Sequence, residues 1–462
     1  MDKAQRKDVP KPVFPAAPVT YPMYDEAAIH NEQAWQTMNV HDPGIFRDDD
    51  GTYYVYSTDV QTKAKLTPGV MVRKSKDLIA WEWVGRALPG IPDLAKEETG
   101  ASNLWAPDVF KHGDTYRMYY SASSFGTNGS LIGLMTAKSP EGPWEEGGVA
   151  MRTKSGDPGP NAIDAQIAVD AMGKQWLLYG SFFDGIYITR LNPETGLPSE
   201  PGFGKRIAAR DKATREGAVE GPYIMYHEGF RQYYLFVSYD SLFRNYNVRV
   251  GRSDFIDGPY VDFNGRRLDD IHYMPQSDVG TKLMGGYEFS EGEGWVHPGH
   301  NSVLREGDDW YMVHHARGKT NPQWPYLHIR RIAWTPDGWP VVSPERYAGE
   351  KEQPIPVELI AGEWEIIVHL PESDAAIGAE KARLEADGAI IGTGSTALVS
   401  GQWQLDEHAA TLSLHWRDVN GEARTAAGRV LTGWDWERSV PALVFTCLDD
   451  RGIAIWGKRT KD

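Results

Sequence analysis

A five-bladed β-propeller followed by a small C-terminal β-barrel or sandwich, all-β throughout, is the fold that this sequence of 462 residues predicts. Three observations carry the prediction. Five stretches repeat as a short strand, a turn and an aromatic-rich strand. Each is followed by further strand-like segments. The repeat stops near residue 350, where a different β pattern begins.

The five stretches are HDPGIFRDDDGTYYVYS from His41, WAPDVFKHGDTYRMYYS from Trp105, IDAQIAVDAMGKQWLLYGS from Ile163, VEGPYIMYHEGFRQYYLFVS from Val219 and GHNSVLREGDDWYMVHH from Gly299. They recur at the spacing expected when each repeat is one multi-stranded sheet with its loops. The segments GVMVRKSKDLIAWEWVG, IGLMTAKSPEGPWEEGG, GIYITRLNPETGLP, NVRVGRSDFIDGPYVD and LHIRRIAWTPDGWPVV read as the outer strands of the same units. Such sheets arranged radially line a central channel with their innermost strands and keep their edges short. After VVSPERYAGEKEQPIPVELI the repeat ends, and the run around Pro354 and Pro356 reads as a linker. GEWEIIVHL, TALVSGQWQL, ATLSLHWRD, ALVFTCLD and IAIWGK then read as short strands between Gly, Asp and Asn turns. The expected division is a catalytic propeller over 1–350 and a β-rich accessory domain over 351–462.

With Ile45, Val109, Ile167, Tyr223 and Val303 set in register, Asp42, Ala106, Asp164, Glu220 and His300 fall at one position. Asp108 lies two residues further on and, by strand alternation, points the same way. Three carboxylates and a histidine facing one axis predict an active site there.

Composition narrows the partners. A formal charge of −16 repels nucleic acid and anionic membrane surfaces, and leaves a neutral sugar as a suitable ligand. No protein partner is predicted. The many aromatic residues, 17 Trp, 22 Tyr and 14 Phe, suit strand packing and also stacking on carbohydrate C–H faces. The lone Cys447 excludes an intrachain disulfide and a cysteine-based zinc site. No run is apolar and long enough to span a membrane as a helix. The opening MDKAQRKDVPKPVFPAAPV has no apolar core of a leader, so the expected compartment is cytoplasmic, or extracellular if a leader was removed.

Hydrolysis of a glycosidic bond needs a proton donor on the leaving oxygen and a nucleophile or a base that activates water. Asp42 and Glu220 come from the first and fourth repeats, far enough apart around a five-membered ring to leave room for water, which is the inverting geometry. Glu220, with the longer arm, is the better acid; Asp164 could supply the neighbouring charge that raises its pKa and orients it.

The HDPGI block with Asp42, the NAID block with Asp164 and the VEGPY block with Glu220 resemble the three signature motifs of glycoside hydrolase family 43. WAPDV, SSFGTNGSLIGLMTA, YGSFFDGIY and GHNSV resemble more narrowly its endo-1,5-α-L-arabinanases, including the two-domain bacterial type. The resemblance implies a five-bladed propeller and an inverting reaction, with Asp42 as base, Glu220 as acid and Asp164 as the group that tunes and positions the acid. Ala165 after Asp164 departs from the proline usual in the family. The resemblance also implies that His300 holds a hydrated Ca²⁺ in the channel; the residues alone leave a hydrogen-bonded core histidine, a sodium ion or plain water open.

Other positions carry two readings each. Trp105 and Phe125 are sugar platforms if they face the channel mouth and blade packing if they do not. Asn161 and Ser181 could bond sugar hydroxyls or cap turns. Asp108 binds a sugar hydroxyl or salt-bridges within the channel, and His41 orients its neighbours. The expected activity is endo-cleavage of α-1,5-arabinan across an open cleft. The alternatives are an exo-acting α-L-arabinofuranosidase or β-xylosidase with the same trio, and, in another class, a propeller that only binds sugar.

Overall fold

The computed structural model describes residues 9–214, 217–392, 400–418 and 420–460. Four four-stranded antiparallel sheets follow one another along the chain, and a fifth blade has four antiparallel strands within a six-stranded sheet. The first comprises Gly44–Arg47, Tyr53–Ser57, Met71–Ser75 and Glu82–Arg86, and the second Trp105–His112, Thr115–Ser123, Ser130–Ala137 and Glu145–Thr153. Blade three is built from Gln166–Val169, Gln175–Tyr179, Ile186–Arg190 and Lys205–Ala208, and blade four from Val219–His227, Gln232–Tyr239, Asn247–Ser253 and Thr281–Met284. Trp295–Glu306, Asp309–Gly318, Pro325–Trp334 and Pro340–Val342 make blade five. The propeller is therefore as expected, with one adjustment: blades three and four take their fourth strands from residues beyond the GIYITRLNPETGLP and NVRVGRSDFIDGPYVD segments. In blade four the chain makes a long excursion, held by isolated bridges at Val261, before the fourth strand forms at Thr281.

The alternation of these strands buries one side of each sheet against the next blade, and separate apolar clusters fill the wedges between them. Side chains of one inner strand also capture backbone N–H groups of the next blade. Ser302, Asp108 and Gln166 accept from the N–H groups of Ile45, Ile167 and Ile224 at 3.2, 2.8 and 3.2 Å, and the Tyr223 hydroxyl donates to the Val303 carbonyl at 3.0 Å. Asp108 thus lashes blade two to blade three. Neither expectation for it, a salt bridge or an open sugar contact, describes this bond; among the described residues no cation pairs with it.

The last propeller strand ends at Val342, and the first strand of the second unit begins at Gly362. This unit is a closed eight-stranded barrel: Gly362–Val368, Glu380–Leu384, Ala389–Gly392, Ser400–Asp406, Thr411–Arg417, Ala423–Asp435, Val440–Asp449 and Ala454–Arg459 run in meander order, and the last pairs with the first. Residues 396–399 of the expected TALVSGQWQL strand lie outside the described residues. Closure removes every open edge. Between the first two barrel strands the chain leaves the barrel, and Ile377–Gly378 pairs in parallel with Tyr287–Glu288 at the edge of blade five. The seam is sealed by Lys458, fully buried, whose ammonium pairs with Glu345, Asp435 and Glu437 at 3.0, 3.2 and 2.6 Å.

Candidate active site

Each blade presents to the channel one residue in the left-handed backbone region, ahead of the inner strand in blades one and three and at a bulge within it in blades two, four and five. These are Asp42, Ala106, Asp164, Gly221 and His300, with φ of 50, 35, 60, 59 and 46°. Strand pairing fixes the equivalence: Ile45, Val109, Ile167, Ile224 and Val303 face Val55, Met118, Leu177, Leu235 and Met312. The register expected for the fourth repeat is therefore one residue out. Gly221, not Glu220, is the counterpart of Asp42 and Asp164, and Glu220 is the counterpart of His41, Trp105, Ile163 and Gly299. The signal was in the sequence, because Pro43, Pro107 and Pro222 align only in the corrected register.

Three residues beyond the facing strand positions stand Thr58, Ser121, Gly180, Ser238 and His315, and these side chains hold the channel residues of the following blade. The Ala106, Asp164, His300 and Asp42 N–H groups donate to Thr58 Oγ1, Ser121 Oγ, Ser238 Oγ and His315 Nδ1 at 2.8, 3.0, 2.7 and 3.2 Å. The ring is interrupted at Gly180, where a Cβ would lie 2.3 Å from the Gly185 carbonyl oxygen. With no side chain there, the Gly221 N–H donates instead to Asp164 Oδ2 at 3.1 Å. Asp164 thereby grips the peptide that follows Glu220.

The three carboxyl groups are all buried, at 9% exposure for Asp42, 6% for Asp164 and 8% for Glu220, yet their surroundings differ. Asp42 Oδ1 meets His41 Nδ1 at 2.8 Å and His300 Nδ1 at 3.0 Å, and Thr58 Oγ1 donates to Oδ2 at 2.6 Å. Burial alone would raise its pKa, but the two imidazoles hold it well below the usual range. Glu220 accepts from Ser181 Oγ at 2.7 Å and from the Tyr246 hydroxyl. Burial dominates there and pushes its pKa up. Burial and the neighbouring Glu220 charge push Asp164 up as well, against the opposing pull of His300. His300, which burial would drive neutral, is raised to about 9 by Asp42 and Asp164. A carboxyl whose pKa is pushed down and another whose pKa is pushed up therefore face one channel, the divergence that base-and-acid chemistry uses.

The other expected residues divide. Ser181 serves the acid rather than an open sugar site. Asn161 is 4% exposed and its Oδ1 accepts from Ser130 Oγ at 2.6 Å, which makes it a strut between a strand of blade two and the loop that leads into blade three. Trp105 is half-buried at the register of Glu220. Phe125 is 78% exposed, so it is no part of the blade packing, and its ring meets the 65% exposed Phe243 edge-on at 6.4 Å. His41 orients Asp42, as expected, and stacks on His315 at 3.9 Å. Sequence reasoning missed Thr58, Ser238, His315 and Tyr246. The first three occupy one aligned position in YVYST, LFVS and MVHH, a recurrent hydroxyl or imidazole that the repeats display. Tyr246 lies in a loop outside the repeat, and no local pattern marks it.

Below the carboxylates a cavity of about 20 Å³ is lined by His300, Asn301, Ser302, Gln166 and Asp108, among others. Both amide atoms of Asn301 are buried there without a partner.

Residues 36–340 match the model of glycosyl hydrolases family 43, and residues 344–457 that of a C-terminal lipocalin-like domain. An extracellular endo-α-(1→5)-L-arabinanase of Thermotoga petrophila is 33% identical over 92% of this chain and 94% of its own length. A second, from Bacillus subtilis, is 30% identical over 92% of this chain and 94% of its own. The crystal structure of endo-1,5-α-L-arabinanase from T. petrophila superposes with a TM-score of 0.82 at 31% identity, covering 92% of this chain and 99% of the other. The chain belongs to glycoside hydrolase family 43, with the family's propeller followed by its C-terminal barrel.

Proposed function

We propose that this protein is an inverting endo-1,5-α-L-arabinanase. The observation that carries the reading is that Asp42 lies against two imidazoles, which hold its pKa down, while Glu220 lies buried among hydroxyls in the same channel, where burial pushes its pKa up. Glu220, kept protonated by burial, donates its proton to the glycosidic oxygen as the bond to the anomeric carbon breaks. Asp42, kept ionised by His41 and His300, takes a proton from the water that attacks that carbon from the opposite face, so the configuration inverts. Asp164 holds the Gly221 N–H and keeps the acid aimed. The substrate class follows from the two-domain relatives, whose names describe endo-arabinanases. The same names call them extracellular, which makes a secreted enzyme acting on arabinan the matching setting.

A hydrated Ca²⁺ beside His300 is part of this proposal. With its Nδ1–H donating to Asp42, His300 has Nε2 left to bind the ion, and the unpartnered Asn301 amide lines the same space and could bond one of the waters that would complete the shell. His300 must then be neutral, its Nε2 proton displaced. When bound, the ion supplies a fixed positive charge and ordered waters beneath the trio.

The test is incubation with linear, debranched 1,5-arabinan and chromatography of the earliest products. A spread of oligosaccharides with inverted anomeric configuration is the expected result. Arabinose or one short product from the outset moves the assignment to an exo-acting relative, and binding without turnover moves it to a sugar-binding propeller.

A further inference from the structure

The loop over residues 240–247 of blade four connects the catalytic acid to the barrel. At one end Tyr246, 1% exposed, hydrogen-bonds Glu220, and its ring packs so closely on Gly299 that a Cβ there would lie 2.1 Å from the ring. The same ring stacks at 5.8 Å on His315, the residue that holds the Asp42 N–H. Tyr246 cannot shift without disturbing both sides of the site.

Next to Tyr246, at Asn245, the loop is gripped from outside the propeller. Residues 370–374 belong to the excursion between the first two barrel strands. Blade four holds them through buried side chains: Arg249 Nη2 donates to the Pro371 carbonyl at 2.7 Å, and Lys282 Nζ to the carbonyls of Leu370 and Ser373 at 3.0 and 2.9 Å. Held in place by these bonds, Asp374 Oδ1 accepts from Asn245 Nδ2 at 2.8 Å. Asn245 in turn fixes the loop, since its Oδ1 accepts from the Ser241 N–H at 3.1 Å and its carbonyl from Asn247 Nδ2 at 3.0 Å. The peptide that carries Tyr246 is thus clamped on its N-terminal side by a residue of the barrel.

We propose that Asp374 is a positioning residue for the catalytic acid, contributed by the barrel and acting through Asn245 and Tyr246. This rests on the reading of Glu220 as the acid. Loss of the strut lets Tyr246, and with it the Glu220 carboxyl, drift from the glycosidic oxygen. Proton donation is sensitive to that geometry, because a displacement of 1 Å costs roughly 10² in rate.

A defect in proton donation has a signature that a general loss of structure lacks: it disappears when the leaving group needs no proton. The experiment compares kcat for an unmodified arabino-oligosaccharide with kcat for nitrophenol release from the same oligosaccharide carrying a nitrophenol at its reducing end, in the wild type, Asp374→Ala, Asp374→Asn and Tyr246→Phe. The wild-type rate on the unmodified oligosaccharide reports separately on the proposed activity. Asp374→Ala is expected to lower kcat about tenfold on the unmodified substrate, a part of the roughly 10² that a full 1 Å misplacement costs. KM and the rate on the nitrophenyl substrate stay unchanged. Asp374→Asn, which keeps the accepting oxygen, is expected to restore the rate, and Tyr246→Phe to show the same leaving-group dependence more strongly. Equal losses of Asp374→Ala on both substrates, or no loss on either, overturn the proposal. A melting temperature measured on each variant separates an unstable variant from a mispositioned acid.

Discussion

The two sides of the channel are built from the same repeat and do opposite things with it. On the side of blades five and one, imidazoles crowd the carboxylate: His41 and His300 contact Asp42 directly, and His315 holds its backbone. On the side of blades three and four, Ser181 and Tyr246 give Glu220 neutral hydrogen bonds, and Gly180 leaves the repeat's usual side chain out. Burial is nearly equal on the two sides. The difference teaches that at equal depth the charge partners decide which carboxyl's pKa falls and which rises.

The comparison breaks most completely at the acid. Glu220→Gln keeps the shape and the hydrogen bonds but has no proton to give, so kcat on arabinan is expected to fall by about 10²- to 10⁴-fold, with oligosaccharide binding retained in calorimetry. Unchanged turnover would remove Glu220 from the mechanism. Next in size is the metal: a chelator is expected to lower both activity and the melting temperature, with Ca²⁺ restoring both. Protein purified without chelator and free of metal by elemental analysis rules the ion out.

Thr58→Val removes a hydroxyl that both donates to Asp42 and accepts the Ala106 N–H. It should cost about 1–3 kcal/mol in denaturant unfolding, because a buried N–H is left unpaired. The alkaline limb of the rate profile should stay in place. Ser181→Ala gives the smallest and sharpest effect. The acid must be protonated, so activity is lost as pH rises through the raised pKa of Glu220. The Ser181 hydrogen bond favours the ionised form, and without it that limb moves to higher pH. A limb that does not move would show that Ser181 is not bonded to the acid in solution.

Much of this was legible in the chain because a propeller repeats a local pattern. The alternation of Ile45, Val109, Ile167 and Val303, the turn residues before them and the stop after residue 340 need only near neighbours to be read. The blade-four register was misread because an ionisable residue was sought at the position that Gly221 occupies. The backbone there takes a positive φ, and Pro222 follows it as Pro43 follows Asp42. The bond of Asp108 to the next blade was not legible because it depends on an N–H 59 residues away.

The sequence by itself determined the repeat, the two-part architecture and the presence of Asp42, Asp164 and Glu220 at the blade entrances, since strand periodicity and turn chemistry are short-range. Only the tertiary structure decided which carboxyl meets imidazoles and which meets hydroxyls. That choice depends on side chains from different blades and loops meeting in one buried place, and a pKa responds to those neighbours and to the loss of water, neither of which is written along the chain.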